Sequence, residues 1–288
     1  MQLITLKAPA KINLVLEILG KRADGYHEIK SIMQAVSLFD VLSFSEAPDI
    51  RISCNVPELQ SENNLVLKAA RILKQASGYP GGALISLEKM IPWEAGLGGG
   101  SSDAAAALTG LNSLWSLALS RERLAEIAAD IGSDVPFFIY GGTCLAEGRG
   151  EKIVKLPDQG KTWFVLLKPA LPGQAGKTGR LYGLIGPHQY TRGEYTDRMK
   201  QAIGAGLGYS SLYNVFDNVI SEAYPGLARY FDILSNAGAG EIHLAGSGPV
   251  LFTAVQNENK ARDIYARVIE KDMQAFLVSS VPGDGVGD

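Results

Sequence analysis

The sequence predicts an α+β protein of two domains, a β-rich α/β domain followed by a ferredoxin-like one, and three observations carry that prediction. Strand patterns dominate the N-terminal third. A cluster of glycines then runs straight into an alanine-rich helix. Past residue 157 the order becomes strand, helices, two adjacent strands, helix and strand, which is the split βαβ arrangement with helices inserted. At 288 residues the chain is long enough for both domains.

Taken in order, "LITLKAPAKINLVLEIL" alternates as a strand does, with a break expected at Pro9. "VLSFSEAPDIRISC" reads as two further strands around a turn. In "NNLVLKAARILKQASG", Leu65, Leu67, Ala70 and Leu73 fall at helical spacing and Gly78 supplies the C-terminal stop. "ALISLEKMIP" returns to strand. A buried helix is expected from Asp103 to about Leu117, and a second in "SRERLAEIAADIG", started by Ser120. The polar stretch "LPDQGKT" marks the boundary between domains of residues 1–157 and 158–281. The second domain opens on the strand "WFVLLKP" and continues through helix-like "TGRLYGLI", "LYNVFDNVISEAY" and "LARYFDILSNAG". It closes with strands "EIHLAGSG" and "PVLFTAV", helix "ENKARDIYARVIEK" and strand "QAFLVSS". The tail 282–288, "PGDGVGD", has nothing to bury and is expected to be disordered.

Composition narrows the function. With 46% hydrophobic and 20% charged residues the chain is an ordinary globular one, and a net charge of -3 argues against a nucleic-acid partner, which needs a basic excess to displace counterions. Cys54 and Cys144 stand far apart without C-x-x-C spacing, so neither a zinc site nor a disulfide framework is expected, and a reducing cytoplasm is the expected setting. His27, His188 and His243 are too scattered for a metal-ligand motif. No apolar run reaches the length of a membrane span, and the first residues lack the make-up of a signal peptide, so no membrane partner is expected.

The chemistry centres on "PWEAGLGGGSSDAAAAL". Glycine is costly to order, so a cluster of it before a helix suggests that something approaches the main chain closely. The first helical turn offers unpaired N–H groups and the positive end of the dipole, a ready site for phosphate. The other reading is a flexible loop capped by Ser101, Ser102 or Asp103. Two familiar nucleotide loops do not fit. "LPGQAGKT" has Leu171 where a Walker A loop needs its first glycine, and Ser101 stands where the Rossmann fingerprint needs its third.

These residues resemble the GHMP kinases, named for galactose, homoserine, mevalonate and phosphomevalonate. The family's proline, glycine-rich loop and helix-opening serines are matched by Pro92, Gly96, Leu97, Gly98, Gly99, Gly100, Ser101 and Ser102. "APAKINLVLEILGKRADGYHEI", "IGSDVPFFIYGGTCLAEGRGE" and "LAGSGPVLF" are similar to segments of the branch that phosphorylates a cytidine diphosphate sugar alcohol in the non-mevalonate isoprenoid pathway. The matches run in the family's order from Lys7 to about Leu251. The resemblance implies the two-domain GHMP kinase fold with its active site between the domains. It also implies ATP and Mg2+ as cofactors, a small-molecule acceptor, and a monomer or homodimer.

Phosphoryl transfer to an alcohol needs cradled phosphates, neutralised charge and a group that takes the hydroxyl proton. The resemblance implies Asp134 as the proton acceptor and Lys11 as its partner cation; taken alone, the two read as a helix cap before "VPFF" and a strand lysine. It implies Tyr26 and His27 on the cytosine, with Tyr182 as a second aromatic face, although a core position in an amphipathic helix is the other reading of Tyr182. By the same resemblance Asn13 and Thr178 neighbour the sugar-alcohol end, Asn64, Lys89 and Asp103 lie near the adenosine, and Gly246, Ser247 and Gly248 form a tight turn under the site. No residue is assigned to Mg2+. Glu94, Gly176 and Lys177 depart from the family's pattern, and the extra carboxylate and extra ammonium are expected either to share the mouth of the cleft or to point into solvent.

Overall fold

Two sheets organise the chain in the computed structural model, which describes residues 3–171, 176–209, 211–269 and 273–283. The first grows from two long antiparallel strands, β1 (Leu3–Lys21) and β2 (His27–Ala47). Pro9 does not end β1; the ladder slips register between Pro9 and Ala10 and continues, because a bulge absorbs the missing N–H. Beyond β2 lie β3 (Arg51–Cys54), helix α1 (Leu65–Ser77) and β4 (Gly82–Glu88), with β3 and β4 paired in parallel. Asn64 caps α1 through the Val66 N–H and Gly78 closes it in the left-handed conformation, at φ 67.

Helix α2 (Gly99–Leu114) departs from expectation at both ends. It starts inside the glycine cluster rather than at Asp103, its N-cap is Gly98, and no side chain caps it. Left-handed Gly98, at φ 71, turns the chain directly into helix, so Ser101, Ser102 and Asp103 become first-turn residues. It stops short of Leu117 because Ser116 and Ala118 take left-handed conformations at φ 51 and 53. Ala104, Ala105, Ala106 and Ala107 are fully buried; with side chains of one carbon, the helix nests closely against α1 and the sheet. Then follow α3 (Arg121–Ile131), whose N-terminus Ser120 caps as expected, α4 (Val135–Tyr140), β5 (Thr143–Gly148) and β6 (Lys152–Lys155).

The remainder builds the second sheet: β7 (Trp163–Lys168), α5 (Lys177–Leu184), α6 (Glu194–Gly204), β8 (Tyr213–Asn214), α7 (Ile220–Ala223), α8 (Ala228–Asn236), β9 (His243–Leu244), β10 (Leu251–Val255), α9 (Glu258–Val268) and β11 (Gln274–Ser279). Its order, β11-β7-β10-β9 with antiparallel neighbours, is that of a ferredoxin-like sheet. "LYNVFDNVISEAY" is not one helix: Tyr213 and Asn214 form β8, parallel to Val15 and Leu16 of β1, before a 3-10 turn and the short α7. Pairing with β1 outweighs local helical spacing there.

The expected division after residue 157 falls between β6 and β7, yet β8 lies beyond it and joins the first sheet. The end of the chain also returns. Val281 donates its N–H to the Ala35 carbonyl, Gly283 donates to the Asp158 carboxylate and accepts from the Lys155 ammonium. Residues 282 and 283 of the expected disordered tail are therefore placed by contacts, while 284–288 lie outside the described residues. Cys54 and Cys144 are both free and buried. Among the described residues no helix is long and apolar enough to cross a membrane.

Candidate active site

A cleft of about 610 Å³ opens where the glycine loop, the start of α2 and the middle of β1 meet α5 and the turn after β9. The glycines answer to packing on its walls. A Cβ on Gly96 would sit 2.0 Å from the Ala245 carbonyl, and one on Gly98 would sit 2.9 Å from both Lys11 Cγ and Phe138 Cζ. Loop, turn and Lys11 can thus approach only because no side chain intervenes. The first-turn N–H groups of Gly99, Gly100 and Ser101 have no intrahelical partner, and all three residues line the cleft beside Pro92, Gly96, Leu97 and Gly98. Ser101 faces the cleft, whereas Ser102 is fully buried behind it, its hydroxyl without a hydrogen-bond partner among the described residues.

Lys11 is no surface lysine: it is 4% exposed. Its ammonium donates to Asn13 Oδ1 at 2.7 Å and stands 3.5 Å from Asp134 Oδ2. Asn13 passes the constraint on, donating to Ser31 Oγ, which donates to the Val15 carbonyl. Although Asp134 occupies the N-cap position of α4, its side chain makes no capping hydrogen bond. Its carboxylate points to Lys11 and the cleft instead. Residues far apart in sequence are thereby brought into one ion pair, with the glycine loop beside them.

Lys89 and Asp103, expected near the adenosine, lie beneath the loop in a buried triad. The Lys89 ammonium donates to Asp103 Oδ2 at 2.7 Å and to Asp40 Oδ2. Asp40, itself fully buried, accepts the N–H groups of Met90 and Ile91 at 2.6 and 2.8 Å. Burial, with the Asp40 charge, pushes the Asp103 carboxyl up against the pull of Lys89. Burial works against the Lys89 charge as well, but Asp103 and Asp40 outweigh it and lift that ammonium above its usual range. The triad fixes the entry to the glycine loop against the first turns of α2. Asn64 also borders the cleft, with both ends of its amide engaged by Val66 and Leu59.

At the opposite end, Asn13, Thr178 and Tyr182 line the cleft. Thr178 Oγ1 meets Ser247 Oγ at 3.0 Å. His27 stacks on Tyr182 with ring centroids 5.1 Å apart and planes 25° from parallel, and Tyr182 sets its edge against Phe216. Burial, helped by the Lys21 charge, holds the His27 imidazole below its usual range; burial pushes the Tyr182 phenol up, with Asp134 adding to it. Tyr26 is exposed, with the guanidinium of Arg149, a residue of the cleft wall, 4.9 Å from its ring centroid.

The expected pairing of Glu94 with Lys177 takes another form. The Lys177 ammonium donates to the main-chain carbonyls of Glu94 and Gly248, and among the described residues no ion pair joins it to the Glu94 carboxylate. Glu94 sits at φ 52, a left-handed conformation, and it is its carbonyl that accepts from Lys177. Sequence reasoning passed over Asp40, Arg149 and Trp93. Asp40 had a signal, a lone carboxylate inside the apolar run "VSLFDVLSF". Arg149, in the quoted "EGRGE", and Trp93, in the loop itself, both line the cleft.

Residues 64–142 match the family model for the GHMP kinases N terminal domain and residues 199–274 that for the GHMP kinases C terminal. A 4-diphosphocytidyl-2-C-methyl-D-erythritol kinase of Dehalococcoides mccartyi is 45% identical over 280 residues, 97% of this chain and 99% of the relative. One of Brevibacillus brevis is 42% identical over 268 residues, 91% of each. A crystal structure of 4-(cytidine 5'-diphospho)-2C-methyl-D-erythritol kinase superposes with a TM-score of 0.82 at 29% identity, covering 98% of this chain and 100% of that one. A homoserine kinase from Cytophaga hutchinsonii, at TM-score 0.78 and 18% identity over 99% and 96% of the chains, shares the fold. The chain belongs to the GHMP kinases, enzymes whose fold and glycine loop it carries throughout. Within that family its place is among the 4-diphosphocytidyl-2-C-methyl-D-erythritol kinases, which transfer phosphate to an alcohol.

Proposed function

We propose that this chain transfers the γ-phosphoryl group of ATP to the 2-hydroxyl of 4-diphosphocytidyl-2-C-methyl-D-erythritol, with Asp134 and Lys11 at the reacting atoms. The observation that carries the reading is the 3.5 Å approach of Lys11 Nζ to Asp134 Oδ2 on the wall of the cleft, beside the open first turn of α2. Asp134 takes the proton of the acceptor hydroxyl as its oxygen bonds to the γ-phosphorus and the bond to the ADP oxygen breaks. Lys11, held by Asn13, faces the negative charge that develops on that oxygen. The N–H groups of Gly99, Gly100 and Ser101 hold the phosphates. The His27–Tyr182 stack supplies aromatic faces for the cytosine, an interaction on the order of 1–3 kcal/mol per base. Homoserine and mevalonate have no base to place there.

Mg2+ takes oxygen donors and in such sites is bound by one or two protein groups together with substrate phosphates. The described residues hold no group of three or more carboxylate, histidine or cysteine side chains fit for a metal ion. The cleft instead offers single oxygen donors, the Asp134 carboxylate and the Ser101 hydroxyl, that suit an ion arriving with ATP. The ion neutralises charge on the phosphates during transfer.

The test is a turnover assay of the purified chain with ATP, Mg2+ and a panel of acceptors. ADP should form with 4-diphosphocytidyl-2-C-methyl-D-erythritol and not with homoserine or mevalonate, and phosphorus NMR should locate the new phosphate on the 2-oxygen. Turnover of homoserine or mevalonate instead would assign the fold to another alcohol. Nucleotide binding without turnover of any acceptor would mark a sensor.

A further inference from the structure

Lys177 is set apart from the other cations of the cleft by its partners. Lys11 has Asp134 and Lys89 has two carboxylates, but the hydrogen-bond acceptors of Lys177 among the described residues are two main-chain carbonyls. One, from Glu94, belongs to the glycine loop, and the other, from Gly248, to the turn packed against Gly96. An ammonium has three donors, so a third remains for a ligand. The residue stands at the first position of α5, half-buried, on the wall that also carries Lys11, Asp134 and the open turn of α2. We propose that Lys177 is a further phosphate-binding residue of the transfer site, its ammonium turning from the two carbonyls to the polyphosphate of ATP when the nucleotide enters.

Three physical points support this. Neutral carbonyls satisfy the hydrogen bonds of an ammonium without cancelling its charge, so a polyanion gains more from this lysine than from one already paired. Burial pushes the Lys177 ammonium down to about 8, with Lys11 adding to the fall and the Glu94 carboxylate opposing it; a phosphate beside it reverses that cost. Finally, its present partners lie on the loop and on the turn that flank the phosphate-facing N–H groups, so a short side-chain rotation rather than a domain movement is required.

This inference rests on the kinase reading above, and its test is kept separate from it by measuring binding rather than turnover. The probe is the non-hydrolysable β,γ-imido analogue of ATP with Mg2+, titrated calorimetrically at pH 8.5 in buffers of different ionisation enthalpy. The charged groups around Lys177 are Glu94 from the loop, Lys11 from β1 and Asp134 across the cleft, with the neutral Tyr182 phenol on its own helix. With its ammonium near 8 in the free protein, part of the Lys177 population is neutral at pH 8.5 and must take up a proton as the phosphates bind. Wild type should show that uptake. Lys177→Met should abolish it and weaken the analogue on the order of tenfold or more, the scale of one charge-assisted hydrogen bond. Lys177→Arg, charged at every accessible pH, should abolish the uptake while keeping most of the affinity, and it serves should the Met variant fail to fold. Uptake that persists in either variant, or affinity within twofold of wild type in Lys177→Met, would overturn the proposal and leave Lys177 as a strap between loop and turn. Wild-type turnover of the cytidine substrate, measured alongside, reports on the kinase reading independently.

Discussion

The main-chain N–H of Lys11 donates to the carbonyl of Leu97 at 2.9 Å. The strand that carries the buried cation and the glycine loop are therefore one piece, and a disturbance of either is felt by both.

Gly98 tests that unity. An alanine there must hold φ 71 and place its Cβ 2.9 Å from Lys11 Cγ and Phe138 Cζ. Gly98→Ala should cost about 1–3 kcal/mol of stability from backbone strain alone, and should also lower kcat by displacing Lys11. Urea unfolding and steady-state kinetics measure the two effects; a wild-type kcat in this variant would show that the loop and Lys11 move independently.

Asp134→Asn separates chemistry from folding. The Asp134 side chain makes no capping bond to α4, so the urea midpoint should stay close to that of wild type. Loss of the proposed proton acceptor should lower kcat at least about a hundredfold, with ATP affinity nearly unchanged. Wild-type turnover in a folded variant would remove Asp134 from the mechanism.

His27→Ala should raise KM for the cytidine substrate and leave KM for ATP nearly as it was. Because burial holds the folded-state pKa of His27 below its usual 6.5, the imidazole is neutral in the native protein at neutral pH. Protonation then favours the unfolded chain as pH falls below 6.5, and acceptor binding that relies on the neutral ring should weaken at still lower pH, once the folded group itself charges. A KM for the acceptor that stays flat from pH 7.5 to about 5, or that responds identically in His27→Ala, would assign the ring to packing alone.

Lys89→Met removes the one cation between two buried carboxylates. Leaving buried charge unpaired costs about 3–5 kcal/mol, so the variant should be severely destabilised near neutral pH. Asp103, whose carboxyl is already raised in the presence of Lys89, should take up a proton more readily without it. With that carboxyl already pushed up to about 8 in the wild type, the loss should be greatest above pH 8 and shrink as pH falls through that value, which chemical denaturation at several pH values from about 6 to 10 will show. A deficit independent of pH would point to lost packing instead of uncompensated charge.

How far the sequence carried these conclusions depended on the range of the interaction. Gly78 and Ser120 act on neighbours within one helical turn, and the helix end and helix start they supply were readable locally. The start of α2 was misplaced because Gly98 acts through its backbone conformation, which its lack of a side chain permits but does not announce. Lys11 and Asp134 could be proposed only through family resemblance, since nothing in either segment encodes their meeting across the fold. The Glu94–Lys177 expectation went astray for a related reason. Charge is legible in a sequence, but the use of a carbonyl in place of a carboxylate is decided by a backbone angle, φ 52 at Glu94.

The return of the chain to its first sheet bears on the timing of assembly. β1 meets β8 only after residue 213 has been made, and Ala35 meets Val281 only after residue 281 has. As the protein leaves the ribosome, the glycine loop and Lys11 emerge long before the partners that complete their surroundings, Gly248 and the second sheet among them. A nascent chain therefore exposes the apolar edges of the cleft for much of its synthesis. Competence to bind nucleotide arrives late, and a chaperone that shields β1 in the interval would be expected to raise the yield of active enzyme more than one acting on the finished chain.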